Sequence, residues 1–113
     1  MQTTILIADD HPMFAEGLAS LLQSDDEYRV IGYAYDGAEA VRKVQELHPD
    51  IAIVDVNMPE LDGIEATAQI RREHPTTRVI MLTMNDETSL ITQAIEAGAH
   101  AYMLKNSAKA DLF

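Results

Sequence analysis

With 113 residues, 47% of them hydrophobic, the chain suffices for one globular core and is too short for two. It has no cysteine, which excludes disulfides, thiolate zinc sites and cysteine nucleophiles, and no apolar run approaches the roughly 18 residues of a membrane span. Nineteen acidic side chains against eight basic ones give a formal charge of −11, so direct binding of nucleic acid or of an anionic membrane by this segment is not expected.

The first apolar run, Ile5–Ala8, predicts a strand, and it climbs straight into Asp9, Asp10, His11 and Pro12. Pro12 suits the first turn of a helix, with Asp10 or His11 at the N-cap. Phe14, Leu18, Leu21 and Leu22 then recur at helical spacing. Capping needs only one acid, so the second has no local explanation. Tyr28–Ala34 is a more mixed run carrying Arg29, as suits an edge strand. Gly37, Ala40, Val41, Val44 and Leu47 share a helical face, entered through Asp36-Gly-Ala-Glu39, which has the pattern of a capping box. Ile51–Val54 is a second strand-like run and ends at Asp55. From Asp62 to Glu73 the period is less regular, and the helix is read chiefly from its opening, Asp62-Gly-Ile-Glu65, with Asp62 as the cap. Val79–Leu82 is followed by Thr83, and Ile91, Ala94, Ile95 and Gly98 mark the next helix and its stop. Ala101–Leu104 is the last strand, followed by Lys105, and a final helix is expected to begin near Ala108 and to be cut short at Phe113.

Strands alternate with helices throughout, and the central strands are apolar without a polar face. That pattern indicates an α/β fold with an open, doubly wound parallel sheet covered on both sides. Ligands of such sheets bind outside the carboxyl ends of the strands. Asp9 and Asp10, Asp55, Thr83 and Lys105 all fall there. Two carboxylates about 4 Å apart repel by about 4 kcal/mol at an effective dielectric near 20, so protonation or a cation must relieve the cluster. A hard divalent ion with oxygen ligands fits, and magnesium is the natural choice. Lys105 adds a compact positive charge and Thr83 a hydroxyl donor, a set suited to holding a phosphoryl group on a carboxylate. His11, His48, His74 and His100 show no ligand spacing, and His48 and His74 precede proline at helix ends. They are expected to be structural or exposed, and the six methionines to be core filler. No basic-then-apolar leader opens the chain, and the expected compartment is the cytoplasm.

The Asp9-Asp10-His11-Pro12 opening, Asp55-Val-Asn-Met-Pro-Glu-Leu-Asp-Gly63, Leu82-Thr83 and Tyr102-Met-Leu-Lys105 together resemble a response-regulator receiver domain. With Gly17-Leu18 and Leu21-Leu22, the opening is most similar to receivers that precede a LuxR-type helix-turn-helix domain. The resemblance implies a flavodoxin-like (βα)5 sandwich, strand order 2-1-3-4-5, with residues 1–113 forming the receiver and a C-terminal output domain lying beyond them. It implies that Asp55 accepts a phosphoryl group from a sensor histidine kinase. Magnesium would be held by Asp9, Asp10, Asp55 and the backbone carbonyl of Asn57, Asp9 acting directly or through water. Lys105 would pair with the phosphoryl group. Thr83 and Tyr102 would act as the switch pair, passing the change to the surface around the fourth helix, fifth strand and fifth helix. That surface would control the chain's own DNA-binding domain in transcription, with a homodimer on phosphorylation as a further expected partner. Asn106 stands where many receivers have a proline after the lysine, and a cis peptide is not expected there. Met84 is bulkier than is common after the threonine, and its bulk would narrow access for small phosphodonors.

Two rival functions meet specific obstacles. Phosphatases of the haloacid-dehalogenase type resemble D-x-D at the nucleophile, and here the second position is Asn57, which cannot transfer a proton. The chain is therefore expected not to be an enzyme. A flavodoxin-type FMN carrier needs a phosphate-cradling loop after the first strand, where Asp9 and Asp10 would repel the ligand. A receiver-like chain that binds partners without phosphorylation would normally lack one of the acids or the lysine, and none is missing.

Overall fold

The computed structural model describes residues 2–56, 58, 62–83 and 88–104. Its elements run β1 Thr3–Ala8, α1 Pro12–Gln23, β2 Tyr28–Ala34, α2 Gly37–Leu47, β3 Ile51–Asp55, α3 Gly63–Glu73, β4 Arg78–Thr83, α4 Thr88–Glu96 and β5 Ala101–Leu104. The five strands form one parallel sheet in the order β2-β1-β3-β4-β5. β1, β3 and β4 are longer than their apolar runs because ladder pairing extends to polar residues such as Thr3, Arg78 and Thr83. The expected last helix near Ala108, with Lys105 and Asn106, lies outside the described residues.

Successive residues of a strand face opposite sides of a sheet, and here both sides are covered. Ile5, Ile7, Ile53 and Leu82 pack with Ala15, Leu18, Ala19 and Leu22 of α1. Leu6, Ala8, Ala52, Val54, Val79 and Met81 face the other way, onto Ala40, Val41 and Val44 of α2, Ala66 and Ile70 of α3 and Ala94 of α4. This two-sided cover explains why the central strands show no polar alternation. At roughly 25 cal/mol per Å², each fully buried Leu, Ile or Val contributes about 1.5–3 kcal/mol, so the covered sheet is the main stabilising element.

The helix faces differ from the sequence reading in detail. On α1 the fully packed stripe is Ala15, Leu18, Ala19 and Leu22, while Phe14 and Leu21 are only half-buried. Small alanines let the helix approach the sheet more closely than a leucine stripe would. On α4, Ala94 is buried but Ile95 is 56% exposed, so the apolar spacing overstated that face.

Helix entries follow the expected chemistry with one substitution. The Asp36 and Asp62 carboxylates each accept from the backbone N–H three residues on, at 2.7 Å and 2.9 Å. Glu39 returns its bond to the N–H of Tyr35 rather than to that of Asp36, so this box closes one residue earlier than the standard pattern. At the other end of the sheet, Val79 N–H donates to His100 Nδ1 at 3.1 Å and His100 N–H donates to Val79 O at 2.8 Å. The imidazole thus adds a rung beneath β5. Burial, then Arg71 and Arg78, hold its pKa below the ordinary imidazole value.

Gly63 fixes where α3 begins. A Cβ there would lie 1.9 Å from the Asp55 carbonyl oxygen, while Gly63 N–H donates to Val56 O at 2.9 Å. Only a residue without a side chain lets α3 abut the end of β3, so the backbone of Asp55 is held by the helix that follows it. Gly63→Ala is expected to lower the stability by about 2–3 kcal/mol, read as an earlier urea midpoint with an unchanged slope. An unchanged midpoint would mean that the helix and strand can separate freely.

Candidate functional site

Strand register brings the acids together. Ala8 pairs with Val54 across parallel strands, which sets Asp9 beside Asp55 one step further on. Asp55 in turn pairs with Leu82, one residue before Thr83. Ligand atoms from Asp9, Asp10, His11 and Asp55 all lie within 4.8 Å of one another. Asp9 is fully buried, Asp55 is 1% exposed and Thr83 is 2% exposed. Asp10 is half-buried at the mouth, and His11 stands exposed beside it.

The two adjacent acids do different work. Asp9 Oδ1 accepts the backbone N–H of His11 at 2.8 Å and lies 3.2 Å from His11 Nδ1. Its carboxylate thereby fixes the turn that delivers the chain into α1. His11 occupies the N-cap position but makes no capping bond with its side chain, and Pro12 follows inside the helix. Asp10, offered by the sequence as an alternative cap, instead points its carboxylate toward the cluster, 3.2 Å from His11 Nδ1. His11 is the residue that sequence reasoning left out. Its only signal was its position two residues after Asp9, where a carboxylate can reach forward to a backbone N–H.

Unit charges 4.8 Å apart repel by about 3.5 kcal/mol at an effective dielectric near 20, and solvent at the half-exposed Asp10 screens this further. The donor set is hard and oxygen-rich, with one imidazole at the rim, and the half-exposed Asp10 leaves an open side. These residues fit a hydrated divalent cation of the magnesium type better than a soft metal. Of the other residues expected at this rim, Thr83 closes β4 beside the cluster, and Tyr102 lies on β5, paired with Met81 and 43% exposed. Asn57, Met84 and Lys105 lie outside the described residues.

A parallel sheet in this strand order, with a carboxylate cluster at the carboxyl ends of β1 and β3, has the arrangement of a receiver-type signalling domain. The comparisons with known proteins agree. Residues 5–113 match the family model described as the response regulator receiver domain, and the chain belongs to that family. It is 45% identical over 102 residues to the transcriptional regulatory protein LnrK of Bacillus subtilis, covering 90% of this chain and 46% of that protein. Among solved structures, the signal receiver domain of the response regulator NarL from Mycobacterium tuberculosis superposes with a TM-score of 0.93 at 33% identity, over 98% of this chain and 90% of that one. The isolated REC domain of RcsB from Salmonella enterica serovar Typhimurium, solved with phosphomimetic BeF3−, gives 0.89 at 28% identity, over 99% and 83% of the two chains. The chain spans about half the length of the curated relatives it matches. Among the described residues no helix is long and apolar enough to cross a membrane.

The packing of the acids has a measurable consequence. In chelator, Asp10→Asn is expected to raise the melting temperature by about 4–8 °C for each kcal/mol of repulsion removed, with a gain of up to about 1 kcal/mol. A lower melting temperature would show that the Asp10 carboxylate is net stabilising and not in repulsive contact.

Proposed function

We propose that this receiver domain is a phosphorylation-dependent switch, with Asp55 as the phosphoacceptor. The observation that carries the proposal is the convergence of Asp9, Asp10 and Asp55 within 4.8 Å in a chain of the receiver family. Asp55 closes β3 in a nearly buried position, its backbone gripped by Gly63, so a nucleophilic oxygen is presented at a fixed point. In the proposed step an Asp55 carboxylate oxygen attacks the phosphorus of a phosphohistidine on a sensor kinase. The new P–O bond forms as the P–N bond breaks, and the imidazole leaves neutral with the proton on its other nitrogen.

Asp9, Asp10, Asp55 and the backbone carbonyl of Asn57 would hold Mg2+. The ion would supply charge neutralisation for the carboxylates and for the phosphoryl oxygens. Lys105 would pair with the phosphoryl group from the β5 side, and Thr83 would donate its hydroxyl to it. Tyr102 would follow the movement of Thr83. The exposed apolar side chains Ile95 and Tyr102 give α4 and β5 a surface that an output domain or a second copy could contact. Relatives such as LnrK carry transcriptional regulatory names and about twice this length, which supports a DNA-binding partner domain beyond the receiver. The RcsB receiver solved with a phosphomimetic supports the phosphoryl chemistry by likeness.

Intact mass after incubation with Mg2+ and either acetyl phosphate or a phosphorylated sensor kinase tests the proposal. Wild type is expected to gain one phosphoryl group, while chelator or Asp55→Asn abolishes the gain. Lys105→Ala is expected to stay folded but to lose signalling in a reconstituted pathway. A folded wild type that binds Mg2+ yet gains nothing from either donor would overturn the phosphoacceptor role.

A further inference from the structure

At the opposite end of the sheet from the acids, the two His-Pro helix ends meet. His48 ends α2 and His74 ends α3, and their ring centroids lie 6.2 Å apart with the planes 70° from parallel. Their sequence separation hides this pairing, which arises only because α2 and α3 lie side by side on one face of the sheet. His74 Nε2 is buried and has no hydrogen-bond partner among the described residues, whereas the His48 side chain is exposed. A buried imidazole nitrogen without a partner is costly for a simple packing contact and is a ready donor for a metal.

The backbone around both rings is held in place. His48 sits in the left-handed region at φ 48°, unusual for a side chain of its size, with its N–H bonded to Val44 O at 2.9 Å. His74 N–H donates to Ile70 O at 2.7 Å. Thr77, buried between the two loops, donates its N–H to His74 O at 3.1 Å and its hydroxyl to Pro49 O at 3.0 Å. One threonine therefore ties the residue after His48 to His74 itself. The two backbone segments that carry the imidazoles are held beside each other before any ligand arrives, which lowers the entropic cost of bridging the rings.

We propose that His48 and His74 form a second metal site, selective for a borderline transition ion of the Zn2+ class and independent of the acidic cluster. Two Zn–N bonds of about 2.0–2.1 Å to imidazoles set ring centroids about 5–6 Å apart, a span that a small rotation of the exposed His48 ring reaches from the observed one. Imidazole nitrogens suit Zn2+, Cu2+ and Ni2+ rather than Mg2+, so the two ends of the sheet would take different metals. The remaining coordination positions open to solvent beside His48. A bound ion would staple the carboxyl ends of α2 and α3.

Zn2+ titration in saturating Mg2+ tests the site, followed by calorimetry and by imidazole 15N–1H correlations. Asp10→Asn identifies any zinc taken by the acidic cluster. Wild type is expected to bind one zinc that Asp10→Asn retains and that shifts the resonances of His48 and His74 together while sparing His100. His48→Asn, which suits the left-handed backbone, and His74→Gln are each expected to weaken that zinc at least tenfold. Circular dichroism checks that both remain folded, and His48→Asn, at an exposed position, keeps the test decisive if His74→Gln does not fold. Zinc binding unchanged in His48→Asn, or no zinc beyond what Asp10→Asn removes, would overturn the proposal and leave the pair as a packing contact.

Discussion

The enforced proximity of like charges at the carboxyl ends of β1 and β3 governs the rest of the structure. Parallel register leaves Asp9 and Asp55 no way to avoid each other once Ala8 and Val54 are paired. The sheet must therefore be stable enough to hold them, and it is covered on both faces by apolar side chains that are almost entirely excluded from water. The folded core thus offsets the repulsion at the rim, and what the rim keeps is a concentrated negative charge suited to a cation. An acidic cluster relaxed into solvent would be more stable and would have no such concentration of charge.

Local devices keep that cluster from spreading. Asp9 spends one oxygen on the N–H of His11, which turns the chain into α1 and leaves Asp10 facing its neighbours. Gly63 brings the start of α3 against the Asp55 carbonyl, so Asp55 cannot retreat along its strand. Thr83, buried at the end of the adjacent β4, is the next residue that a change of charge at Asp55 would reach. Under the proposed function, a phosphoryl group on Asp55 would need to favour one arrangement by only a few kcal/mol to shift an equilibrium between two. The exposed Ile95 and Tyr102 then lie where a shifted surface could be read by a partner.

The far end of the sheet is built on different principles. There the loops after α2 and α3 are joined by hydrogen bonds of Thr77, and β5 gains a rung from the His100 imidazole. Thr77, His100 and Arg71 at this end all bond to backbone atoms of neighbouring segments. Rigidity at the amino ends of the strands and stored repulsion at their carboxyl ends divide the domain into a clamp and a charged rim. The paired histidines belong to the clamp, which is why their metal chemistry would be separate from that of the acids.

Uninterrupted apolar runs and the punctuation between them determined the alternation of strands and helices, because burial on both faces leaves no other composition for a central parallel strand. Asp36 and Asp62 were legible as caps because a cap is a contact three residues long. Asp9, Asp10, Asp55 and Thr83 could be assigned to one rim because every strand of a parallel sheet ends on the same side. Other features needed tertiary structure. Which alanines of α1 would pack, and that Ile95 would face water, depended on how closely each helix approaches the sheet. His11 joined the acids through a turn that Asp9 organises, and His48 met His74 because two helices settled side by side. Local spacing carries information about contacts within an element, whereas contacts between elements are decided by packing, which no single stretch of the chain encodes.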